Sequence, residues 1–208
     1  MSLLNYWIKC IENSDEEIQT IANKKFVQFR DYIHGLEEGH WEISDSIEID
    51  NKVKDYIEKS KKYIYSTHKV LENWEDSTNK KIFAEMKKVA KRKLNKVTIE
   101  MIFILSDKEV ENFDNLYKIL SEHKTAYSNV FCVEEKEIHE RNKEYNIDMV
   151  LVDGDRVLIE DISTGDKYYN KAIIHSTSEK IDKYETIFLR IRDMASDLDT
   201  FRKRITGQ

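Results

Sequence analysis

The sequence predicts an α/β protein in which one domain with a mostly parallel mixed β-sheet, flanked by helices, follows an amino-terminal helical element. The chain has 208 residues, enough for one sizeable core plus an accessory element. Residues 3 to 60 show helical periodicity without strand alternation, whereas strand-like apolar runs alternate with helix-length segments after residue 60. Such alternation favours a sheet covered by helices on both faces, so we place the domains at 1–48 and 49–208.

The amino-terminal element is expected to be helical and to present one apolar face. Ser14 precedes Glu17 at the capping-box spacing that marks a helix start. The apolar residues that follow recur at helical spacing: Ile18, Ile21, Ala22, Phe26, Phe29, Tyr32 and Ile33. This face packs on the following domain or a neighbouring helix, or else it forms a surface for a dimer or another partner.

The segment Gly35 to Ser46 interrupts the helical pattern with two glycines, a histidine and a tryptophan, and it predicts a loop. In this loop His40 and Trp41 either line a ligand cleft or anchor the loop to the core. A further helix is expected at residues 49–59, and it leads into the α/β domain.

The α/β domain is predicted to contain strands and helices in alternation, with one hairpin near its centre. Strands are expected at 62–67, 97–105, 129–133 and 171–177, and helices at 78–93, 109–126 and 179–201. The hairpin covers residues 145–163, with the sequence YNIDMVLVDGDRVLIEDIS. Its two apolar runs flank an Asp-Gly-Asp turn signal that begins at Asp153.

The hairpin resembles one half-site of the phospholipase D superfamily. In that family a strand carries a histidine, a lysine and an aspartate, and after a turn a second strand ends near Gly-Ser-x-Asn. Asp153 stands at the aspartate position, which puts Asn146 at the histidine position and Asp148 at the lysine position. The glycine, serine and asparagine are replaced by Glu160, Asp161 and Ser163.

The resemblance extends over residues 50 to 205 and includes the phrases KKYIYST, KKVAKRKLNKVTIEMIFIL and YETIFLRIRDMASDL. It implies a single phospholipase D-like lobe of the catalytically silent kind found in sensor or effector parts of bacterial regulators. The family's histidine attacks phosphorus and its lysine neutralises phosphoryl charge, whereas Asn146 is no useful nucleophile and Asp148 would repel a phosphodiester. The resemblance therefore implies a non-catalytic binding or regulatory module, and it also implies a homodimer, since single lobes often pair.

Composition and charge argue against several classes of function. The net charge is -6 with both signs well mixed, so a general nucleic-acid-binding protein is not expected. No apolar run approaches the roughly 20 residues that span a bilayer, and we expect a soluble cytoplasmic protein without a membrane partner. Cys10 and Cys132 are expected to be buried thiols, and no histidine or glycine pattern predicts a metal or other cofactor.

Two alternative functions remain open. A diverged nuclease or phosphodiesterase would use the acidic residues of the hairpin or a displaced site in a cleft, whose candidate residues are His68, Lys69, Trp74 and His175. Strand alternation puts Asp148 and Asp153 on opposite faces, which disfavours a metal shared between them. The other alternative is a structural protein whose helical element assembles with itself or with an unknown protein.

The basic run at 87–96 is expected to be a solvated helix face, with anion binding as its functional alternative.

Overall fold

The computed structural model describes residues 2–13, 15–69, 84, 87–88, 97–126, 129–160 and 171–207. The chain divides into two compact units, Met1–Trp41 and Glu42–Gln208. The division predicted from the sequence is 1–48 and 49–208, which would cut the helix at Ser46–Lys59. In the structure this whole helix lies in the second unit.

The first unit is built from two helices, α1 (Leu3–Ile11) and α2 (Glu16–Glu37). The carboxylate of Asp15 caps α2, because it accepts hydrogen bonds from the backbone N–H groups of Glu17 at 2.9 Å and Ile18 at 3.3 Å. The predicted cap, Ser14, lies outside the described residues. The rings of Trp7 and Phe26 stack with centroids 4.2 Å apart and join the two helices.

The prediction of a loop from Gly35 to Ser46 is wrong. Helix α2 continues to Glu37, and residues His40–Ile43 form strand β1. Gly35 is a buried helical residue, and a Cβ atom there would lie 2.9 Å from the backbone oxygen of His40. The glycine therefore permits a close approach of helix and strand rather than ending the helix.

The strands form one mixed sheet in the order β1-β7-β6-β5-β2-β3-β4-β8, and apart from His40 and Trp41 of β1 their residues belong to the second unit. Its strands after β1 are β2 (Tyr63–His68), β3 (Thr98–Leu105), β4 (Asn129–Glu134), β5 (Asp148–Val152), β6 (Arg156–Glu160), β7 (Ala172–His175) and β8 (Ser196–Asp197). The sheet is mixed, as expected, but it is not mostly parallel, because among the strand pairs whose register is described only β2–β3 and β3–β4 are parallel. The hairpin β5–β6 joins β2 in the antiparallel sense, as do the pairs β6–β7 and β4–β8.

The helices of the second unit divide two segments that the sequence predicted as single helices. They are α3 (Ser46–Lys59), α4 (Asp107–Glu111), α5 (Phe113–Ala126), α6 (Glu135–Arg141), α7 (Ser178–Met194) and α8 (Leu198–Thr206). The expected helix at 109–126 is interrupted at Asn112, whose side-chain amide donates to the backbone oxygen of Lys108 at 2.9 Å. The expected helix at 179–201 is split by β8, which pairs with β4. The helix expected at 78–93 lies outside the described residues apart from 84, 87 and 88.

The two faces of the sheet carry different kinds of side chains. On one face, Ile102, Met149 and Leu151 form an apolar core with Phe188 and Ile191 of α7. Strand alternation turns the neighbouring residues of β2 and β5 to the opposite face. That second face includes buried polar side chains from both strands, and these form the candidate site.

Candidate functional site

Asp153 in the β5–β6 turn fixes the beginning of β2. Its carboxylate accepts three backbone hydrogen bonds, from Lys61 at 2.7 Å, Lys62 at 2.8 Å and Tyr63 at 3.0 Å. Asp153 has a φ of 57°, in the left-handed region that aspartate tolerates better than most residues. The carboxylate at this motif position is therefore occupied in holding the backbone of a neighbouring strand.

Asn146, at the position of the family's histidine, lies just before β5 and contacts α6. Its side-chain nitrogen is 2.5 Å from Oε1 of Glu135 and 2.7 Å from Nε2 of His139. The amide can donate to both, which requires the unprotonated form of the Nε2 atom. Nζ of Lys69 lies 3.7 Å from Oε1 of Glu135, so an ion pair adjoins the amide.

Asp148, at the position of the family's lysine, is a buried carboxylate with only 3% of its surface exposed. Its Oδ2 atom accepts a hydrogen bond from the backbone N–H of Lys69 at 3.2 Å. Its Oδ1 atom lies 3.8 Å from Nδ1 of His68. The position that requires a cation in the active family therefore carries a buried carboxyl group next to an imidazole.

Glu160 faces Asp148 directly across the β5–β6 ladder. Burial raises the pKa of the Glu160 carboxyl well above its usual range, and the charges of Asp148 and Asp50 raise it further. Asp50 belongs to α3, which packs against β5. Three carboxyl groups from two strands and a helix thus lie on this part of the second face, and their proximity favours the protonated form of Glu160.

A row of polar and aromatic side chains adjoins the carboxyl groups. Ser66 is fully buried, and its Oγ atom lies 3.0 Å from Nε2 of His68. The rings of His68 and Phe103 are 5.5 Å apart, and the rings of Phe103 and His123 are 5.4 Å apart. Burial lowers the pKa of His68 to about 3, and burial followed by the charges of His68 and Lys87 lowers that of His123 to about 3. Both imidazoles are therefore neutral at physiological pH.

The structure brings together some of the residues that the sequence suggested and separates others. His68, Lys69 and Asp148 lie together, with Glu160 opposite Asp148. His175 pairs in register with Val157 of the α7-facing core and stacks on Tyr184 at 5.7 Å, so the sheet separates it from His68. Three of the suggested residues lie outside the described part of the chain: Trp74, Asp161 and Ser163.

Sequence reasoning missed two members of this cluster. Ser66 could have been found, because strand alternation in KYIYSTH places it on the same face as His68. Asp50 could not, because its proximity to Glu160 depends on how α3 packs against the sheet. Of the expected buried thiols, Cys132 is buried and Cys10 is half-buried.

Within the described ranges, no group of three or more His, Cys, Asp or Glu side chains has an arrangement that could hold a metal ion. Among the same residues, no helix has both the length and the apolar character required to cross a membrane.

Comparison with known proteins gives matches in structure only. No protein-family model matches the chain, and no curated protein sequence matches it. TrmBL2, an archaeal chromatin protein that binds DNA, has a TM-score of 0.51 and 11% identity, over 93% of this chain and 67% of that protein.

Two further solved structures are phospholipase D-family proteins. NucT from Helicobacter pylori has a TM-score of 0.51 and 10% identity, over 76% of this chain and 98% of NucT. Phosphatidylserine synthase from Haemophilus influenzae Rd KW20 has a TM-score of 0.54 and 16% identity, over 82% of this chain and 42% of the synthase. Identities this low bear on the fold alone, and the hairpin β5–β6 lies within a mixed sheet as the resemblance implied. The chain therefore has a phospholipase D-like fold.

Proposed function

We propose that this chain is a non-catalytic phospholipase D-like module that binds a ligand or a regulatory partner. The observation that carries the proposal is the buried carboxylate of Asp148 at the lysine position. Phosphoryl transfer needs positive charge at the equatorial oxygens, where charge builds up in the transition state. Asp148 is acidic and cannot supply positive charge, and Glu160 opposite it is also a carboxyl group.

The contacts of Asn146 support the same proposal. An amide nitrogen is not nucleophilic, because its lone pair is delocalised into the carbonyl group. In this protein the amide also contacts Glu135 and His139 at hydrogen-bond distance, so it has a positioning role between β5 and α6. A catalytic nucleophile would instead point toward a space where a substrate can approach.

The charge of the site restricts the class of ligand that we propose. Carboxyl groups accept hydrogen bonds and attract cations, whereas an anionic phosphodiester would be placed next to the carboxyl group of Asp148 in a partly desolvated site. We therefore propose a ligand that is neutral or positively charged and that donates hydrogen bonds. A nucleic-acid backbone is not the partner that this site favours.

The test is hydrolysis of bis(p-nitrophenyl) phosphate by the parent chain and by Asp148→Asn, with thermal unfolding measured on both. We expect neither protein to exceed the buffer rate. Turnover by the parent that is lost in Asp148→Asn, with an unchanged Tm, would overturn the proposal. Asp153→Ala is unsuitable as an active-site variant here, because it removes the backbone contacts at the beginning of β2.

A matched variant tests the electrostatic reason directly. Asn146→His combined with Asp148→Lys places a nucleophile and a cation at the two motif positions, and the introduced ammonium would face Glu160. We expect the double variant to fold and to bind tungstate, a phosphate analogue, as a rise in Tm that the parent does not show. Equal stabilisation of parent and variant by tungstate would contradict the electrostatic argument.

One observation favours a second candidate, a diverged hydrolase. Ser66, His68 and Asp148 follow one another as hydroxyl, imidazole and carboxylate, at 3.0 Å and 3.8 Å. This order matches a nucleophile, a general base and an orienting group. Ser66 is fully buried, so the first candidate is favoured. Phosphodiester or ester hydrolysis that is abolished by Ser66→Ala, with Tm retained, would reverse the ranking.

Because TrmBL2 binds DNA, a DNA-binding measurement belongs with these assays. We expect this chain to show no retention of duplex DNA at about 0.15 M salt, where binding that depends on phosphate contacts is already weakened. Binding that falls steeply with salt would instead point to a basic segment such as residues 87–96, which lies outside the described residues apart from 87 and 88.

A further inference from the structure

The side chain of Asn146 joins the beginning of β5 to helix α6 through two donated hydrogen bonds. Its Nδ2 atom carries two N–H groups, and the acceptors in reach are Oε1 of Glu135 at 2.5 Å and Nε2 of His139 at 2.7 Å. The two acceptors are four residues apart on α6, so they lie one helical turn from each other. Both donors of this amide are therefore used on one helix.

The acceptor of the same amide is not paired. Among the residues that the structure describes, no donor forms a hydrogen bond with Oδ1 of Asn146, although this atom is buried. A buried acceptor without a donor is unfavourable, because it has lost its hydration and gained no partner. The orientation of the amide therefore depends on its two donated hydrogen bonds.

One of these hydrogen bonds depends on the protonation state of His139. An imidazole nitrogen accepts a hydrogen bond only while it carries no proton, so the contact requires a neutral ring whose proton is on Nδ1. In the imidazolium both nitrogens are donors. Protonation would therefore direct an N–H group of His139 at the NH₂ group of Asn146 over 2.7 Å, a distance at which two donors repel each other.

Glu135 offers the protonated ring another partner. Its Oε1 atom lies 3.8 Å from Nε2 of His139, and the same oxygen accepts the other hydrogen bond from Asn146. An imidazolium and a carboxylate attract each other at positions i and i+4 of a helix. The charged ring and the Asn146 amide therefore compete for one oxygen atom.

We propose that the contact between His139 and Asn146 is a pH-sensitive switch, in which protonation of His139 turns the ring toward Glu135 and releases the Asn146 amide from α6. Histidine is the residue whose charge ordinarily changes between about pH 5 and pH 8. The side chain of His139 is 45% exposed, so protons reach it directly from solvent. The released amide is free to turn, and its Oδ1 atom then gains access to a donor.

The first connection between this switch and Asp148 runs along the chain. Asn146 lies two residues before Asp148, at the point where β5 begins. The backbone oxygen of the intervening Ile147 accepts a hydrogen bond from Oγ1 of Thr67 at 2.6 Å. Release of Asn146 leaves that contact with β2 to hold the beginning of β5, so the strand end becomes less constrained.

The second connection runs through Lys69. Its ammonium lies 3.7 Å from Oε1 of Glu135, and its backbone N–H donates to Oδ2 of Asp148 at 3.2 Å. A carboxylate that turns to an imidazolium weakens its contact with this ammonium. Protonation of His139 therefore affects Asp148 from two sides, and if the proposed function is correct, ligand binding there depends on pH.

The charged groups on the elements that pack against α6 set the sign of the pH dependence. Glu135 favours the imidazolium, whereas the ammonium of Lys69, which pairs with the same carboxylate, opposes it. Glu134 of β4 pairs with two cations, Lys136 and Arg204. In the turn at Lys143–Tyr145, the charge of Glu144 acts with burial to raise the pKa of Tyr184 of α7. Removing the charge of Glu135 should therefore move protonation of His139 to lower pH.

The test is NMR spectroscopy of the nitrogen-15-labelled full chain, without ligand, from about pH 8 to about pH 5. We expect the side-chain NH₂ resonances of Asn146 to shift with the same pH midpoint as the ring nitrogens of His139. The backbone N–H resonance of Lys69 should follow with that midpoint as well. At the upper end of the range, the ring should be the neutral form that is protonated on Nδ1.

Three substitutions separate the switch from other pH effects. His139→Gln retains an oxygen that can accept from Asn146 but gains no proton, so the transitions of Asn146 and Lys69 should disappear. His175→Gln removes a histidine from β7, and it should leave the midpoint of Asn146 unchanged. Glu135→Gln retains an acceptor without charge, so the midpoints of His139 and Asn146 should move together to lower pH.

Far-UV circular dichroism and Tm show whether each variant is folded. If His139→Gln does not fold, the shared midpoint in the parent and its joint movement in Glu135→Gln still decide the question. Asn146 resonances that stay constant while His139 titrates, or that shift equally in His139→Gln, would overturn the switch. A transition of Asn146 that Lys69 does not share would overturn the connection with Asp148. These measurements involve no ligand and no hydrolysis, so the switch and the proposed function can fail separately.

Discussion

At the scale of single residues, Asp153 shows how one carboxylate can hold the beginning of a neighbouring strand. Its oxygens hold the backbone of Lys61, Lys62 and Tyr63. The turn itself was predictable, because Asp-Gly-Asp between apolar runs is a hairpin signal. Its partners were not, since they lie about 90 residues earlier in the chain and only the pairing of β2 with β5 brings them near.

Replacing Asp153 should destabilise the protein. Asp153→Ala loses three backbone hydrogen bonds to a charged acceptor and places alanine at a positive φ, so we expect a loss of about 2–4 kcal/mol in the free energy of unfolding. Asp153→Asn retains the tolerance for this φ and one acceptor oxygen, so its loss should be smaller. Urea unfolding of both variants measures the difference, and equal losses would contradict the role given to the carboxylate.

The position of Glu160 opposite Asp148 should lower the free energy of unfolding at neutral pH. At pH 7.5 the Glu160 carboxyl must either ionise directly opposite Asp148 or stay protonated at a pH where the unfolded chain releases that proton. Glu160→Gln removes this cost, which for directly opposed like charges is roughly 0.2–1 kcal/mol. We expect the Tm at pH 7.5 to rise by about 1–4 °C. Because the raised pKa of Glu160 means that folding favours its protonated form, the gain should shrink as the pH is lowered below the folded pKa. A Tm that is unchanged at pH 7.5 would contradict this assignment.

The buried imidazole of His123 should make stability depend on pH. Its folded pKa of about 3 lies below the usual 6.5, so the unfolded chain binds the extra proton between these values. Stability is therefore complete above pH 6.5 and falls as the pH drops toward 3. We expect His123→Gln to reduce this slope by up to about 1.4 kcal/mol per pH unit, as measured by urea unfolding from pH 4 to pH 7. Parallel profiles for parent and variant would refute the prediction.

At the scale of secondary-structure elements, prediction worked best where contacts are local. Strands β2, β3, β4 and the hairpin follow their hydrophobic patterns, and their predicted positions differ little from those observed. The division of the last helix was missed because β8 consists of Ser196–Asp197 only and exists by pairing with β4. An element this short is specified by its partner strand rather than by its own sequence.

Gly35 also depends on a contact that local sequence does not reveal, because it lies in a helix next to the backbone of His40. This contact leads to a prediction about stability. Alanine normally favours a helix interior over glycine by about 1 kcal/mol. At this position its Cβ would lie 2.9 Å from a backbone oxygen, and backbone yields less readily than a side chain. We therefore expect Gly35→Ala to destabilise by about 1–3 kcal/mol in thermal unfolding. Thr20→Ala, at an exposed position of α2, is the matched control and should be neutral or stabilising.

At the scale of the whole molecule, the candidate site depends on how the hairpin is inserted in the sheet. Asp148 and Glu160 face each other because β5 and β6 pair, and Asp148 meets His68 because β5 also pairs with β2. The opposition of the two acids follows from the turn position and was within reach of the sequence. The contact with His68 and the approach of Asp50 depend on the tertiary packing of distant segments, for which local patterns carry no information.

The connection between Asp153 and the beginning of β2 has a consequence for the order of folding. Strand β2 lies between β5 and β3, yet β5 is made about 80 residues after β2. During synthesis β2 can pair with β3 as soon as both have emerged, but its other edge remains open until the hairpin is complete. Closing that edge requires contact between two strands that are about 80 residues apart in the chain, and contacts of such separation form slowly. Truncated chains that end before the hairpin should therefore expose an unpaired strand edge and tend to aggregate.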